Sequence, residues 1–334
     1  MNYIGMDIHK QFTVAVAKDK EGNKLAEEKF DNGKDNFKKF LSEFVPEETE
    51  IVIESCSIWE YIYDILEEMK YKVKLANPTK TRAIAEARIK TDSIDASTLC
   101  DLLRANLIAE SYIPPKEIRN LRNIMRQRRA IVKGRTQIKN RIHAVLLMNG
   151  IKLPYTGLGQ TAMKWIVEEI GITTIKSVLV SYINILEQFN FELKKIEERI
   201  REIALKNPQA VLLTTVYGIA EIRAMEIITE IGDINRFESS GKLCSYAGLI
   251  PSMKQSGTTL RFGRLIKQSS KNLKFTLVEA SWNLIRLKEN NRFREFYLKL
   301  SKKKGKQKAI CAVARKLCCA VYAMLTKNQE FMLL

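Results

Sequence analysis

The spacing of apolar residues changes near residue 115, and this change limits the fold more than any other feature of the chain. Before it, short strand patterns alternate with helical patterns, and after it apolar residues repeat every seven positions as far as about residue 205. The repeats are Ile124, Ile131, Ile138 and Val145, then Leu179, Leu186, Leu193 and Ile200, with Phe189, Ile196 and Ile203 in a second seam. Heptads sustained over this length predict two helices packed as a coiled coil.

The pattern of residues 1–112 predicts an α/β domain. A three-strand meander over 3–9, 12–18 and 24–30 precedes helices over 34–45 and 58–70, strands that end at Glu54 and span 71–76, and a helix over about 79–109. Turn-forming residues separate the first strands, and Pro78 ends the last one. This order of elements predicts a ribonuclease-H-like fold.

Four carboxylates occupy the ends of these predicted elements. Asp7 and Glu54 each close a strand, and Asp92 and Asp95 lie three residues apart, which places them on one face of a helix. Carboxylate oxygens are ligands that suit Mg²⁺, and a pair of such ions can stabilise both the attacking and the leaving oxygen of a phosphoryl transfer. The four residues therefore predict a metal site that cuts or joins phosphodiesters.

The balance of charge differs between the two ends of the chain. Residues 1–114 carry 16 Lys and Arg against 21 Asp and Glu, whereas residues 115–334 carry 40 against 17. The formal net charge of the whole chain is +18, an excess that supplies salt-sensitive affinity for nucleic acid through counterion release. We infer an acidic part that holds metal and a basic part that holds a polyanion.

The first predicted coiled-coil helix is strongly basic. Its cationic residues, accompanied by Glu117 alone, are Lys116, Arg119, Arg122, Arg126, Arg128, Arg129, Lys133, Arg135, Lys139 and Arg141. A solvated helix face is the alternative interpretation, but so unbalanced a ratio does not fit salt bridges along the helix. The sequence therefore predicts nucleic-acid contacts here.

Residues 208–334 are expected to form a mainly helical third region. Residues 214–231 have the outline of a helix-hairpin-helix, whose glycine turn lets backbone N–H groups approach a phosphate. A plain helix–helix turn fits the same residues about equally well.

Four residues farther along could act as nucleophiles on chemical grounds, namely Cys244, Tyr246, Ser252 and Ser256. Ser256 differs from the others because Gly257 permits an unusual backbone turn. Basic residues that could hold a phosphate follow at Arg261, Arg264, Lys267, Lys271 and Lys274.

Several other kinds of protein fit the sequence poorly. No apolar run approaches the ~20 residues of a membrane-spanning helix, and the N-terminus lacks the residue order of a signal peptide. The six cysteines form no Cys-x-x-Cys pair, and His9 and His143 lack the third partner that a zinc or triad site needs. We expect a reduced, cytoplasmic protein without membrane contact.

The motifs around these residues resemble those of insertion-sequence transposases with an N-terminal DEDD, RuvC-like domain and a C-terminal serine domain. This family includes the Piv-type DNA invertases and the bridge-RNA-guided recombinases, and the resemblance covers nearly the whole chain. The N-terminal motifs are Gly5-Met6-Asp7-Ile8-His9-Lys10, Ile53-Glu54-Ser55 and Lys90-Thr91-Asp92-Ser93-Ile94-Asp95-Ala96. The C-terminal motifs are Glu230-Ile231-Gly232-Asp233, Tyr246-Ala247-Gly248-Leu249-Ile250-Pro251 and Gln255-Ser256-Gly257.

The resemblance implies a role for each motif. Asp7, Glu54, Asp92 and Asp95 take the DEDD positions and hold Mg²⁺ or Mn²⁺, and Ser256 is the nucleophile. Three domains are implied: a RuvC-like metal domain at 1–112, a basic coiled-coil domain at 113–207 and a serine domain at 208–334. The implied activity is the cutting and rejoining of donor and target DNA through a phosphoserine ester. It would take place in a nucleoid-associated homodimer or homotetramer, assembled through the coiled coil and guided by a structured noncoding RNA.

Two segments depart from the family pattern. Residues 267–272 replace a Lys-Arg-Gly-Asn type of turn, and Gly218-Ile219-Ala220 replaces the commoner Gly-x-Gly. Three rival functions also remain. A RuvC-like Holliday-junction resolvase or a nuclease would need only residues 1–112 and metal, and a nucleic-acid chaperone would need only the basic part. A tyrosine recombinase would use Tyr246, but no histidine lies near it in the sequence.

Overall fold

The computed structural model describes residues 1–85, 91–256, 259–288 and 291–332. Contacts divide the chain into two compact units, Met1–Ile113 and Pro114–Leu334. Within the second unit, one apolar core contains Met125 and Ile200 together with Leu213 and Leu317. The division into three domains at 1–112, 113–207 and 208–334 stays a prediction.

The first unit is a mixed α/β structure built on a five-stranded sheet. Its elements are β1 Asn2–Ile8, β2 Phe12–Lys18, β3 Lys24–Asp31, α1 Lys34–Leu41, β4 Thr49–Glu54, α2 Trp59–Glu68, β5 Lys72–Ala76, α3 Pro78–Ile84 and α4 Asp92–Arg104. The strand order is β3-β2-β1-β4-β5. β1 pairs antiparallel with β2 and parallel with β4, and β5 is parallel to β4. The predicted meander and the mixed α/β class are thereby confirmed, while the ribonuclease-H-like assignment stays a prediction.

The helix predicted over 79–109 is wrong as a single element. The structure has α3 and α4 in its place, with Ala85 outside both helices and residues 86–90 outside the described part of the chain. Helix α4 begins where the Thr91 side chain accepts a hydrogen bond from the backbone N–H of Ile94, and it ends at Arg104. Asn106 follows with a φ of 55°. The apolar spacing was compatible with one long helix, but it carried no signal for this new start.

Strand alternation gives the sheet two different faces. Ile4, Met6, Ile51 and Ile53 belong to a core that also contains α1 and α2 residues such as Phe37 and Ile62. The intervening residues face α4 instead, so that Val52 packs with Leu99 and Leu103, and Val14 and Val16 pack with Ala96. Residues 5, 7, 52 and 54 therefore all lie on the α4 side of the sheet.

Gly5 lets α4 approach the sheet to the limit of contact. A Cβ at this position would come within 2.5 Å of the backbone nitrogen of Cys100 and closer still to the carbonyl oxygen of Ala96. An ion pair also joins β2 to α4, because Lys18 Nζ lies 2.6 Å from Asp101 Oδ2. Asp101 is thus an ion-pair partner for β2.

The second unit is mainly helical, as predicted. Its elements are α5 Lys116–Met148, α6 Gln160–Glu169, α7 Thr173–Leu205, α8 Pro208–Thr214, α9 Glu221–Ile231, α10 Ser240–Tyr246, β6 Pro251–Ser256, β7 Thr259–Leu265, α11 Lys271–Leu284, α12 Arg292–Lys304 and α13 Lys306–Lys327. The two strands form an antiparallel hairpin that the sequence pattern did not reveal.

Helices α5 and α7 pack against each other and run antiparallel, while their assignment as a coiled coil stays a prediction. Ile142 and Leu146 near the end of α5 pack with Leu179 and Ile183 near the start of α7. At the other end of the pair, Met125 shares a core with Ile200. The heptad seams are therefore filled within a single chain.

The helix–turn–helix at 214–231 is present as α8, a turn and α9. Gly218 in the turn has a φ of +92°, and a Cβ there would come within 2.7 Å of the Asn283 side chain on α11. The turn thus uses its glycine to pack against protein. This packing favours the plain helix–helix turn over a phosphate-binding hairpin.

Helix α13 is long and apolar enough, by length and composition alone, to cross a membrane. Its apolar residues, however, belong to the core of the second unit: Ala314, Leu317, Val321 and Met324 are all buried. A buried core helix passes the same test, so α13 gives little support to membrane insertion.

Replacing Gly5 with Ala is expected to destabilise the first unit by about 1–3 kcal/mol, because the new methyl group would push α4 off the sheet. Urea unfolding followed by circular dichroism measures the change. Gly157→Ala is the control, since no atom lies within 4 Å of the position its Cβ would take. Equal stability of the two variants would contradict the close approach at Gly5.

Candidate active site

Asp7 and Glu54 meet at one edge of the sheet. β1 and β4 are parallel and adjacent, with Met6 opposite Ile53, so the carboxyl ends of the two strands lie side by side. Both residues fall on the face that α4 covers. The two strand-end carboxylates predicted from sequence are therefore brought together.

Helix α4 adds the other two carboxylates from its first turn. Asp92 and Asp95 are the acidic residues at its N-terminus, where Thr91 caps the helix. The positive end of a helix dipole stabilises acidic residues in this position. The charges of Asp92 and Asp95 raise the pKa of Asp7, and the charge of Asp95 raises the pKa of Glu54. The four acids therefore form one electrostatic cluster.

His9 also belongs to this cluster, which the sequence analysis did not predict. Its Nε2 lies 3.1 Å from Asp7 Oδ2 and 3.3 Å from Asp92 Oδ1. The ring stacks on Phe12 with 4.6 Å between centroids, which fixes its direction. His9 was expected to lack the third partner that a zinc or triad site needs, but the structure groups it with Asp7 and Asp92. Strand alternation held the missing signal, because a residue two positions after Asp7 faces the same side.

Burial and like charge make the cluster electrostatically costly without a cation. Burial raises the pKa of Asp7, Asp92 and Asp95 raise it further, and His9 opposes them. Burial likewise raises the pKa of Glu54, with Asp7 and Asp95 adding to the effect and Arg82 opposing it. Carboxylates held together against their own repulsion are typical of sites that bind metal or move protons.

The donor set fits a divalent metal ion. Asp7, His9 and Asp92 each offer a ligand atom, and these atoms all lie within 4.8 Å of one another. Glu54 and Asp95 lie outside this group of three, although Asp95 acts electrostatically on both Asp7 and Glu54. Such a set of hard oxygen donors suits Mg²⁺ or Mn²⁺, and the imidazole nitrogen suits the transition metal of the two better.

Three of the four candidate nucleophiles make internal contacts. Cys244 is fully buried, and its Sγ lies 3.7 Å from that of Cys319. Hydrogen bonds from Cys318 and Cys319 lower the Cys244 pKa to about 7, but burial keeps the thiol from a DNA substrate. Tyr246 donates its hydroxyl to the carbonyl oxygen of Glu230 at 3.2 Å. Ser252 lies against Gly263, where a Cβ would collide with its hydroxyl oxygen.

Ser256 ends β6 at the tip of the hairpin. Its backbone pairs with Thr259, and the predicted turn at Gly257 lies outside the described residues. Arg261, Arg264 and Lys267, which the sequence had marked as phosphate contacts, are all exposed on β7 and just beyond it. The hairpin thus presents basic residues along the strand that follows Ser256.

A polar network holds the base of this hairpin. Ser270 donates its hydroxyl to Glu230 Oε2 at 2.7 Å, and Asn272 donates to Glu230 Oε1 at 2.9 Å. The backbone N–H of Ser270 also donates to the carbonyl oxygen of Tyr246 at 2.8 Å. Gly248, with a φ of +67°, lies directly against Ser269. Both ends of the hairpin are therefore anchored to the helical core.

Four of the arginines assigned to nucleic-acid binding face the interior of the second unit. Arg119 is buried, and Arg122 donates to the carbonyl oxygens of Thr229 and Glu230 at the end of α9. Arg128 pairs with Glu197 at 2.7 Å and with Glu226 at 3.3 Å. Arg129 contacts Asn272 and lies 3.5 Å from Glu226. The acidic partners come from α7 and α9, which a charge count along α5 alone could not reveal.

Five of the remaining basic residues of α5 are available to solvent. Arg126, Lys133 and Arg141 are exposed, and Arg135 and Lys139 are half-buried. These five residues, together with Arg261, Arg264 and Lys267, are the predicted nucleic-acid contacts that the fold leaves accessible.

Comparison with known proteins adds a family to this geometry. A model of the DEDD transposase domain of IS110 elements, described as a transposase, matches residues 4–149. A second, described as the transposase IS116/IS110/IS902 family, matches residues 210–298. Together the two matches cover more than half of the chain.

Curated relatives match over similar lengths. The chain is 26% identical to the transposase for insertion sequence element IS1328 of Yersinia enterocolitica over 98% of each protein. It is 23% identical to the transposase for IS1111A of Coxiella burnetii, covering 84% of this chain and 79% of the relative. A pilin gene-inverting protein of Moraxella lacunata is 26% identical over 84% of this chain and 81% of its own length.

Asp7→Asn is expected to change how the stability of the first unit depends on pH in the presence of a chelator. Because the folded-state pKa of Asp7 is raised above 3.8, the folded unit keeps a proton that the unfolded chain has lost. The contribution of Asp7 to the free energy of unfolding therefore falls as pH rises from about 3.8 through the raised pKa, and the variant lacks this fall. Urea titrations of parent and variant across this pH range provide the measurement. A parent whose stability does not fall relative to that of Asp7→Asn over the window would contradict the raised pKa.

The same variant is expected to lose the stabilisation that Mg²⁺ or Mn²⁺ gives to the parent, because the ion binds the folded cluster and not the unfolded chain. Thermal unfolding with increasing metal concentration measures the effect. Asp101→Asn is the matched control, since Asp101 pairs with Lys18 outside the cluster. Undiminished stabilisation by metal in Asp7→Asn would place the ion elsewhere.

Arg128→Gln and Arg126→Gln are expected to act differently, although the two residues are close neighbours on α5. Arg128→Gln leaves Glu226, with 8% of its side chain exposed, short of a partner and costs about 1–3 kcal/mol of stability. Arg126→Gln alters an exposed residue and changes stability by less than about 0.5 kcal/mol. It is expected instead to weaken DNA binding and to lower the salt-dependence slope by up to about 0.9. Unfolding curves and DNA affinities at several salt concentrations distinguish the two effects; the reverse assignment would refute the placement of α5.

Proposed function

This chain belongs to the IS110 family of insertion-sequence transposases, enzymes that cleave and rejoin DNA, and we propose that it does so through a covalent phosphoserine intermediate with Mg²⁺. The observation that carries the proposal is the carboxylate cluster, in which two strand-end acids face two acids of α4. A site of this chemistry can stabilise a transferring phosphoryl group, and the exposed hairpin supplies a serine suited to attack it.

The residues of the first unit would hold the metal. Asp7, Glu54, Asp92 and Asp95 are the proposed ligands, and His9 is a fifth candidate beside them. When bound, a divalent ion supplies Lewis-acid stabilisation of the charge on the phosphoryl oxygens. The carboxylates contribute by fixing the ion at the edge of the sheet, where β1 and β4 are held rigidly by their neighbours.

Ser256 is the proposed nucleophile. Its Oγ would form a bond to phosphorus while the bond from phosphorus to one deoxyribose oxygen breaks, which leaves a phosphoserine ester and a free hydroxyl on the DNA. A hydroxyl of another strand can then attack the ester and release the serine. The phosphodiester energy is retained through both steps, as rejoining requires, whereas attack by water would discard it.

The carboxylates and Ser256 must act on the same phosphate. We propose that they do so in a homodimer or homotetramer, and that a structured noncoding RNA pairs with donor and target DNA. Sequence choice would then lie in base pairing, and the exposed cations of α5 and the hairpin would contact backbone phosphates. DNA substrates of this kind place the protein at the nucleoid in the cytoplasm.

A RuvC-like resolvase or nuclease without a covalent intermediate is the second candidate. The observation that favours it is that the proposed metal ligands all lie in the first unit, which forms a compact structure of its own. Only the fate of the phosphodiester bond separates the two activities.

Trapping the covalent intermediate tests the proposal. Wild-type protein incubated with Mg²⁺, labelled element-end DNA and RNA transcribed from the noncoding flank is expected to give a protein–DNA adduct that survives denaturing electrophoresis. Ser256→Ala is expected to bind DNA and form no adduct, because it lacks the attacking oxygen. Ser252→Ala is the matched control and is expected to keep the adduct. Cleavage to free ends by Ser256→Ala would identify the carboxylate site as a hydrolase.

A further inference from the structure

The hairpin carries an exposed apolar face that no other described residue covers. Met253 lies opposite Phe262, and Gln255 lies opposite Leu260, so alternation along the two strands puts these side chains on one face. Met253 is 61% exposed, Phe262 66% and Leu260 47%. Exposed apolar side chains that are contiguous, unlike single scattered ones, are typical of an interaction site.

The charge around this face is of one sign. Between residues 239 and 278 the chain has seven Lys and Arg and no Asp or Glu. Arg261 and Arg264 are both exposed, one on each side of Phe262 along β7. The hairpin therefore combines a flat aromatic ring and flexible apolar side chains on one face with cations on the same strand, which together match a base and its phosphate.

We propose that this face of the hairpin, formed by Met253, Leu260 and Phe262, binds unpaired DNA bases, with Phe262 as the stacking platform and the exposed cations of β7 as phosphate contacts. The proposal deepens the proposed function and rests on it in one respect, namely that the β6–β7 hairpin, whose first strand ends at Ser256, contacts the DNA. Aromatic rings flanked by cations hold single strands in this way, since every base has a face on which to stack. The site would keep bases next to the scissile phosphate out of the duplex.

A second copy of this chain is a poorer occupant. A two-fold contact through this face would bring Arg264 and its basic neighbours against their own copies, and the segment offers no acidic residue to offset the repulsion. Nucleic acid, in contrast, brings the opposite charge with its bases.

Binding to uncleaved DNA tests the proposal separately from catalysis. The full chain in the Ser256→Ala background, in a chelator, is titrated into fluorescein-labelled single-stranded DNA and into the same sequence as duplex. Phe262→Ala is expected to weaken single-strand binding about 5- to 100-fold, the loss typical of one base–aromatic contact, and to leave the duplex nearly unchanged. Phe262→Trp is expected to restore the affinity. Phe191→Ala on α7, where the ring is 53% exposed, is the matched control and is expected to change nothing.

The salt dependence separates stacking from charge. Phe262→Ala is expected to keep the slope of log affinity against log salt, whereas Arg264→Gln is expected to lower it by up to about 0.7 on a single strand. Unchanged single-strand affinity in Phe262→Ala would overturn the proposal. So would an equal loss on duplex, or a fall in the oligomeric mass of this variant measured by sedimentation, which would assign the face to a second copy. If the wild-type protein forms no serine adduct, the proposed function is overturned, whereas these binding results remain valid.

Discussion

The close approach of α4 to the centre of the sheet is the constraint on which the carboxylate cluster depends. At Gly5 no side chain separates β1 from the backbone of Ala96 and Cys100. With α4 in place, the first turn of the helix reaches the strand ends that carry Asp7 and Glu54. The same approach brings like charges together, so the apolar contacts of Leu99, Leu103 and Ala96 with the sheet must outweigh that repulsion until a cation offsets it.

The second unit resolves a comparable conflict in the opposite way. Glu226 is nearly buried, and it is satisfied by Arg128, Arg129 and the hydroxyl of Thr276, which donates to it at 2.8 Å. Removing one member of such a network leaves another buried and unpaired, which makes the network costly to break although it adds little net stability. The arginines of α5 thereby hold α7, α9 and α11 in position. Some basic residues of α5 therefore stabilise the packing of neighbouring helices, and others are exposed on its surface.

Much of the architecture could be predicted because it follows from local periodicity. The meander, the strand ending at Glu54, the packing of α5 against α7 and the helical character of the last region are each determined by apolar spacing over a few residues. The strand-end acids could be placed together because adjacent parallel strands end at one edge. Four features were not predicted: the start of α4 after residue 91, the β6–β7 hairpin, the membership of His9, and the inward direction of Arg122, Arg128 and Arg129. The start of α4 depends on a local cap, whereas the last two features depend on residues distant in sequence, such as Asp92 for His9 and Glu226 for Arg128.

Residues 267–272, which depart from the family's turn, help to hold the base of the β6–β7 hairpin. An isolated two-stranded hairpin is marginally stable in water, and β6–β7 has little core of its own to pack against. Ser270 and Asn272, which stand in this segment, both donate to Glu230, and Asn272 also accepts from Arg129. The base of the hairpin and helix α5 are therefore parts of one hydrogen-bonded network. A change in the position of α5 would therefore alter the hydrogen bonds that hold the base of the hairpin.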